Sequence, residues 1–180
     1  RSKNMRQSKM TYAGIGSRET PSHILATMQK LSNRLALDGW TLRTGNCTGA
    51  DQAFAKGANE VNPKLVELYL PWYGYEALCV AIGNVVYTPG CEAYRIAAEH
   101  HPAWHKCSKA AQAMHARNVQ IILGATLVEP VQQAICWTPG SKAIGGTALG
   151  IRIARAWGIA VRNLTEERLV DRQRQMEFCW

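Results

Sequence analysis

A chain of 180 residues, 47% of them hydrophobic, is long enough to bury one core and too short for two, so a single domain over residues 10–180 is expected. Its longest apolar runs, Val119-Gln120-Ile121-Ile122-Leu123 and Ala134-Ile135-Cys136-Trp137, are far too short to cross a bilayer, and no membrane role is expected. Lys and Arg number 21 against 13 Asp and Glu, and the formal charge of +8 favours anionic ligands without selecting one.

Much of that charge sits at the ends, with Arg1, Lys3, Arg6 and Lys9 in the first nine residues and Arg162, Arg168, Arg172 and Arg174 near the C-terminus. Residues 1–9 are basic and polar with no apolar stretch behind them, so they read as a disordered leader rather than a secretory signal. The six cysteines, at 47, 79, 91, 107, 136 and 179, form no CxxC pair. A chain with an adequate core needs no disulfide framework, and reduced thiols in a cytoplasm are expected.

In chain order, Met10-Thr11-Tyr12-Ala13 reads as a strand running into the glycine turn Gly14-Ile15-Gly16-Ser17-Arg18. Thr20 as N-cap and Pro21 at the first helical position open a helix to about Asp38, with Ile24, Leu25, Met28, Leu31 and Leu35 at helical spacing and Gly39 as its stop. Trp40-Thr41-Leu42-Arg43 is a second strand, followed by the glycine-rich turn Thr44-Gly45-Asn46-Cys47-Thr48-Gly49 and a helix from Ala50. Leu65 to Leu70 is a third strand, stopped by Pro71. Two successive strand, glycine turn and helix units predict a parallel sheet.

Residues 72–105 carry Gly74, Gly83, Pro89, Gly90 and Pro102, which break every periodic pattern, and they read as an irregular insertion with one helix near Cys91 to Glu99. A helix is expected from Ser108 through Ile121, a buried strand over Ala134 to Thr138, and a third glycine-rich loop over Pro139 to Thr147 that opens a helix through Trp157. A last strand, Gly158 to Arg162, and a polar helix starting at Thr165-Glu166-Glu167 complete the chain. The fold class is α/β: one Rossmann-like three-layer domain with a mostly parallel sheet.

Glycine at a strand-to-helix turn allows close backbone approach, and the free N–H groups and dipole of the helix start favour an anion. In a parallel sheet the loops at 14–18, 44–51 and 139–147 leave the same sheet edge and can line one crevice. The expected ligand contacts are Gly14, Gly16, Ser17 and Arg18; Thr44, Gly45, Asn46, Thr48, Gly49 and Asp51; and Ser141, Lys142, Gly145, Gly146 and Thr147. Arg18 and Lys142 would supply charge and the hydroxyls hydrogen bonds. The first loop lacks the third glycine of the dinucleotide fingerprint and the chain has no GxxxxGK[ST], which disfavours hydride transfer and P-loop hydrolysis.

These blocks are also familiar. Gly14-Ile15-Gly16-Ser17-Arg18, Arg43-Thr44-Gly45-Asn46-Cys47-Thr48-Gly49-Ala50-Asp51-Gln52-Ala53 and Gly145-Gly146-Thr147-Ala148-Leu149-Gly150-Ile151-Arg152-Ile153-Ala154 resemble, in order and spacing, the GSR turn, the SGxxxGxDxxAH block and the SGSLxTAxxA segment of the DprA/SMF branch of the SLOG superfamily. Arg117-Asn118-Val119-Gln120-Ile121-Ile122-Leu123-Gly124 is similar to its RNRIIAGLS block. The resemblance implies a nucleotide-like ligand, either a free signalling nucleotide or single-stranded DNA as in a recombination mediator, and a homo-oligomer. Another branch of the superfamily hydrolyses nucleotides with the glutamate of a PGGxGTxxE motif. The matching position here is Gly150, which moves the expectation from an enzyme toward a binding protein.

Single residues leave alternatives open. Asp51 reads equally as a ribose or base contact and as a helix N-terminal acid. An enzyme reading would use Asp51 or Glu19 as acid or base. Cys47 lacks an adjacent histidine to activate it. His100, His101, His105 and Cys107 do not match the spacing of a closed zinc site, so no metal or other cofactor is expected. Trp72, Tyr73 and Tyr75 fit base stacking or a satellite core alike. Arg117, which the resemblance turns toward the crevice, reads on its own as a solvated surface arginine.

Overall fold

Short apolar runs bounded by glycine, proline or polar residues become six strands in the computed structural model, which describes residues 9–75, 84–141 and 145–165. They are β1 (Thr11–Gly16), β2 (Thr41–Thr44), β3 (Val66–Leu70), β4 (Asn84–Tyr87), β5 (Gln133–Trp137) and β6 (Ala160–Asn163). The helices are α1 (Ser22–Leu37), α2 (Ala50–Asn59), α3 (Cys91–His100), α4 (Lys109–Leu123) and α5 (Gly145–Ala156). Every strand pairing is parallel, in the order β4-β3-β2-β1-β5-β6. The α/β Rossmann-like architecture anticipated from the sequence is what forms.

Period-two alternation sorts the strand side chains to two faces. Tyr12, Leu42, Val66, Leu68 and Ile135 pack with Ile24, Met28 and Ala36 of α1 and Phe54 of α2. On the other face Ala13, Ile15, Tyr69, Ala134 and Cys136 pack with α3, α4 and α5 through Ile96, Val119, Ile122, Leu149 and Ile153. The chain builds outward from β1 to β4 and then returns across the sheet to β5. The strand order therefore reverses between β1 and β5, and the loops leaving those two strands diverge to opposite faces.

Several boundaries differ from expectation for identifiable reasons. Pro21 is the N-cap of α1 rather than its first helical residue: it is extended, at φ −59° and ψ 146°, and Thr20 gives its hydroxyl to Ser17 O at 2.7 Å instead of capping the helix. The first strand runs on through Gly16, because β5 pairs with it as far as Gly16 opposite Trp137. Within the stretch 72–105 expected as an irregular insertion, residues 76–83 lie outside the described residues, the helix expected near Cys91 to Glu99 forms as α3, and an unexpected strand precedes it. Asn84–Tyr87 pairs with Glu67–Leu70 as an edge strand, and α3 follows it.

Lys9, counted with the leader, bonds the Glu67 carboxylate; the rest of the leader, residues 1–8, lies outside the described residues, as does the C-terminal helix expected beyond Thr165. Among the described residues no helix is long and apolar enough to cross a membrane.

Candidate functional site

A cavity of about 420 Å³ opens at the point where the strand order reverses. Gly16, Ser17, Arg18 and Glu19 reach it from the end of β1, and Trp137, Thr138 and Pro139 from the end of β5. Cys47 and Asp51 come from the β2–α2 turn, and Gly145, Gly146 and Thr147 from the start of α5. The back wall is α4, through Met114, Arg117 and Asn118. A cavity of this size accommodates a nucleotide-sized ligand.

The three glycine-rich loops thus meet, but they divide the labour unevenly. Gly16, Ser17, Arg18, Asp51, Gly145, Gly146 and Thr147 line the cavity. Gly14, Thr44, Gly45, Asn46, Thr48 and Gly49 do not; most of them shape the wall from behind. A Cβ on Gly14 would lie 2.6 Å from the Phe54 ring, and the Thr44 hydroxyl donates to Gly14 O at 2.6 Å. Gly49, at φ +96°, lets its turn approach the first loop, where a Cβ would meet Ser17 O at 2.9 Å. Asn46 is buried, and Thr48 is exposed away from the cavity. Ser141 ends a short turn after β5, and Lys142 lies outside the described residues.

Arg117 corrects the surface reading. It is 2% exposed, donates from Nη1 to Tyr69 O at 3.2 Å and from Nη2 to Cys47 Sγ at 3.4 Å, and its Nε is buried with no partner among the described residues. Gly45 is what makes room for it: a Cβ there would lie 1.9 Å from Arg117 Nη1 and 2.4 Å from Asp51 Oδ2. Cationic and anionic groups therefore converge behind the second loop. Asp51 is itself held by Cys47 N at 3.4 Å. On α4, two residues before Arg117, burial first, and then the charges of His101, Arg152 and Arg117, push the His115 imidazole down to about 4.

The aromatics resolve differently from one another. Tyr75 is satellite core, buried with Cys47 and Leu70, its hydroxyl 3.2 Å from Cys47 Sγ and accepting from Arg18 Nη2 at 3.1 Å. Trp72 packs edge-on against Tyr75, and neither it nor Tyr73 lines the cavity. The aromatic that does is Trp137, half-buried at the end of β5, which the sequence shows only as the last large residue of a buried strand.

Asn118 Nδ2 donates to Gly146 O at 3.1 Å and ties the back wall to the start of α5. Gly150, one turn further along α5, faces the sheet: a Cβ there would lie 2.7 Å from Ile15 Cδ1. Compared with models of protein families and with curated protein sequences, the chain shows no significant match to any.

Proposed function

We propose that the chain binds a phosphate-bearing nucleotide or nucleotide-derived ligand in the crevice between the ends of β1 and β5, and releases it unchanged. The observation that carries this reading is Arg117, a buried guanidinium on the cavity wall whose hydrogen bonds go to a neutral carbonyl and a sulfur. Burying a cation is costly unless an anion meets it, and an unsatisfied buried N–H on such a group adds to that cost. Asp51 offsets part of that charge, and a phosphate supplies the rest.

The phosphate sits against the first turn of α5, where the N–H groups of Gly145–Thr147 and the helix dipole attract an anion, with Arg18 at the mouth. Trp137 offers a face to the base. Gly150 supports binding without cleavage, since the position where a SLOG-like hydrolase would carry its glutamate has no carboxylate and packs on Ile15 Cδ1, 2.7 Å from where a Cβ would lie. The resemblance to the DprA/SMF branch agrees with this ligand class.

A second reading rests on Asp51 and Glu19, two carboxylates that line the same cavity and are the right groups for general acid–base cleavage of an N-glycosidic or phosphate bond. One experiment separates the two. Calorimetric titration with nucleoside mono-, di- and triphosphates, followed by chromatography of the recovered ligand, is expected to show binding and no product. Binding by no member of the panel overturns the proposal, and a product peak transfers it to the enzyme reading. Single-stranded DNA as the ligand is recognised by salt: affinity for an oligonucleotide falls steeply, with a log–log slope of roughly −0.7 per phosphate contacted, and for a single phosphate only modestly.

A further inference from the structure

We propose that His101, Cys107 and His115 form a binding site for a thiophilic divalent cation of the zinc type, which clamps the α3–α4 connection onto α4. Of the four clustered residues His100, His101, His105 and Cys107, whose spacing alone does not match a closed zinc site, His100 and His105 take no part: His100 bonds Ile96 O and packs on Trp157, and His105 is exposed. The missing partner comes from α4. His115 completes the spacing His101-x5-Cys107-x7-His115, and one ligand atom from each residue lies within 4.8 Å of the other two.

Three further observations support a metal. Cys107 Sγ lies 3.9 Å from Nδ1 and 3.8 Å from Nε2 of His101, close to the roughly 3.5 Å that separates sulfur and nitrogen around tetrahedral zinc. His115 is 9% exposed and its Nδ1 is buried with no partner among the described residues, an unusual state for an imidazole nitrogen unless something is to occupy it. Trp104 packs on both histidine rings and walls the cluster in.

The surroundings select the kind of ion. Arg117 and Arg152 both act on His115 and oppose a cation, so the site needs a negative ligand, which only the Cys107 thiolate provides. The donor set is soft and holds no carboxylate oxygen for calcium or magnesium. On binding, the Cys107 thiol, now 3.7 Å from Ala103 O, loses its proton to solvent as the metal–sulfur bond forms. His101 keeps its proton on Nε2 and coordinates through Nδ1, which requires that the hydrogen bond Nδ1 now accepts from Ala103 N at 3.2 Å break and that this N–H turn to water. Water fills the fourth position. The consequence is mechanical: His115 is next but one to Arg117 on α4, so the ion fixes the helix that forms the back wall of the crevice.

Titration of the chelator-treated chain with Co(II) tests this without reference to any nucleotide. The expected result is one equivalent bound, with the visible bands of tetrahedral cobalt and a near-ultraviolet thiolate-to-cobalt charge-transfer band. Cys107→Ser, half-buried and nearly isosteric, should lose the charge-transfer band and bind the metal more than about 100-fold more weakly. In the unsubstituted chain Zn(II) should protect Cys107 from maleimide while the exposed Cys91 reacts at an unchanged rate. Substoichiometric cobalt uptake, a charge-transfer band that survives Cys107→Ser, or an unprotected Cys107 each overturns the site.

Discussion

The two helical layers that cover the sheet are built on different principles. On the α1/α2 face the seam is close and apolar. Gly57 lets the helices touch, since a Cβ there would lie 2.0 Å from Gln29 O, and the buried hydroxyls are satisfied: Tyr12 Oη pairs with Ser32 Oγ at 2.7 Å, and Ser32 Oγ donates to Phe54 O at 2.6 Å. On the opposite face α4 buries His115, Arg117 and Gln120, and one polar atom on each lacks a partner among the described residues. The difference is one of degree: the α1/α2 layer leaves Asn59 Oδ1, at the end of α2, without a partner among the described residues, whereas α4 alone leaves three such atoms on the wall of the crevice layer. Stability and binding should therefore separate by face.

The largest effect that tests this separation is Gly57→Ala. Alanine favours a helix over glycine by about 1 kcal/mol, but here its methyl would drive into a backbone carbonyl, and overpacking typically costs 1–3 kcal/mol or more, so steric strain wins. A net loss of about 2 kcal/mol in denaturant unfolding is expected, with nucleotide affinity unchanged while the protein stays folded. A stability equal to or above that of the parent would show that the two helices part easily and that the seam is no tighter than the other face.

Arg117→Met should do the reverse. Removing a buried charge whose Nε is unsatisfied is expected to alter stability by less than about 1 kcal/mol, because the lost bond to Tyr69 O is offset by the desolvation no longer required. Affinity for a nucleoside phosphate should fall roughly 10- to 100-fold, the worth of a charge-assisted hydrogen bond of 1.5–3 kcal/mol. Unfolding curves and calorimetry on the same samples give both numbers. If stability collapses while binding persists, Arg117 is a core residue and the distinction between the faces fails.

These two positions also show what was legible beforehand. The strand, glycine turn and helix rhythm through residue 70 follows from local chemistry, and the convergence of three loops follows from parallel topology alone. Gly57 and Arg117 depend on neighbours distant in sequence, Gln29 in one case and Tyr69 in the other. A lone arginine on a helix is surface by default, and only the fold reverses that. The edge strand Asn84–Tyr87 is four residues among glycines and prolines, too short to show a period, and it is fixed by the register of β3 beside it. His115 is invisible as a partner to Cys107 until the turn at Trp104–Lys106 folds the chain back along α4.

The smallest expected effect concerns a place where the crevice-side face does satisfy its buried charges, at Arg43 and Glu67. Burial pushes the Glu67 carboxyl up, but Lys9 and Arg43 together outweigh it and hold the group below its ordinary value. Arg43 bonds Glu67 at 2.9 Å and Glu129 O at 2.6 Å, and the Tyr69 hydroxyl donates to the same carboxylate at 3.1 Å. A carboxylate whose folded value is lowered contributes stability above its unfolded value, about 4.3, and that contribution is lost as pH falls through the folded value. Unfolding midpoints measured from pH 7 down to pH 3 should therefore drop more steeply in the parent than in Glu67→Gln, with the two curves converging at the acid end. Parallel curves would mean that Lys9 and Arg43 do not stabilise the ionised form, and that this buried cluster is no better satisfied than the open donors of α4.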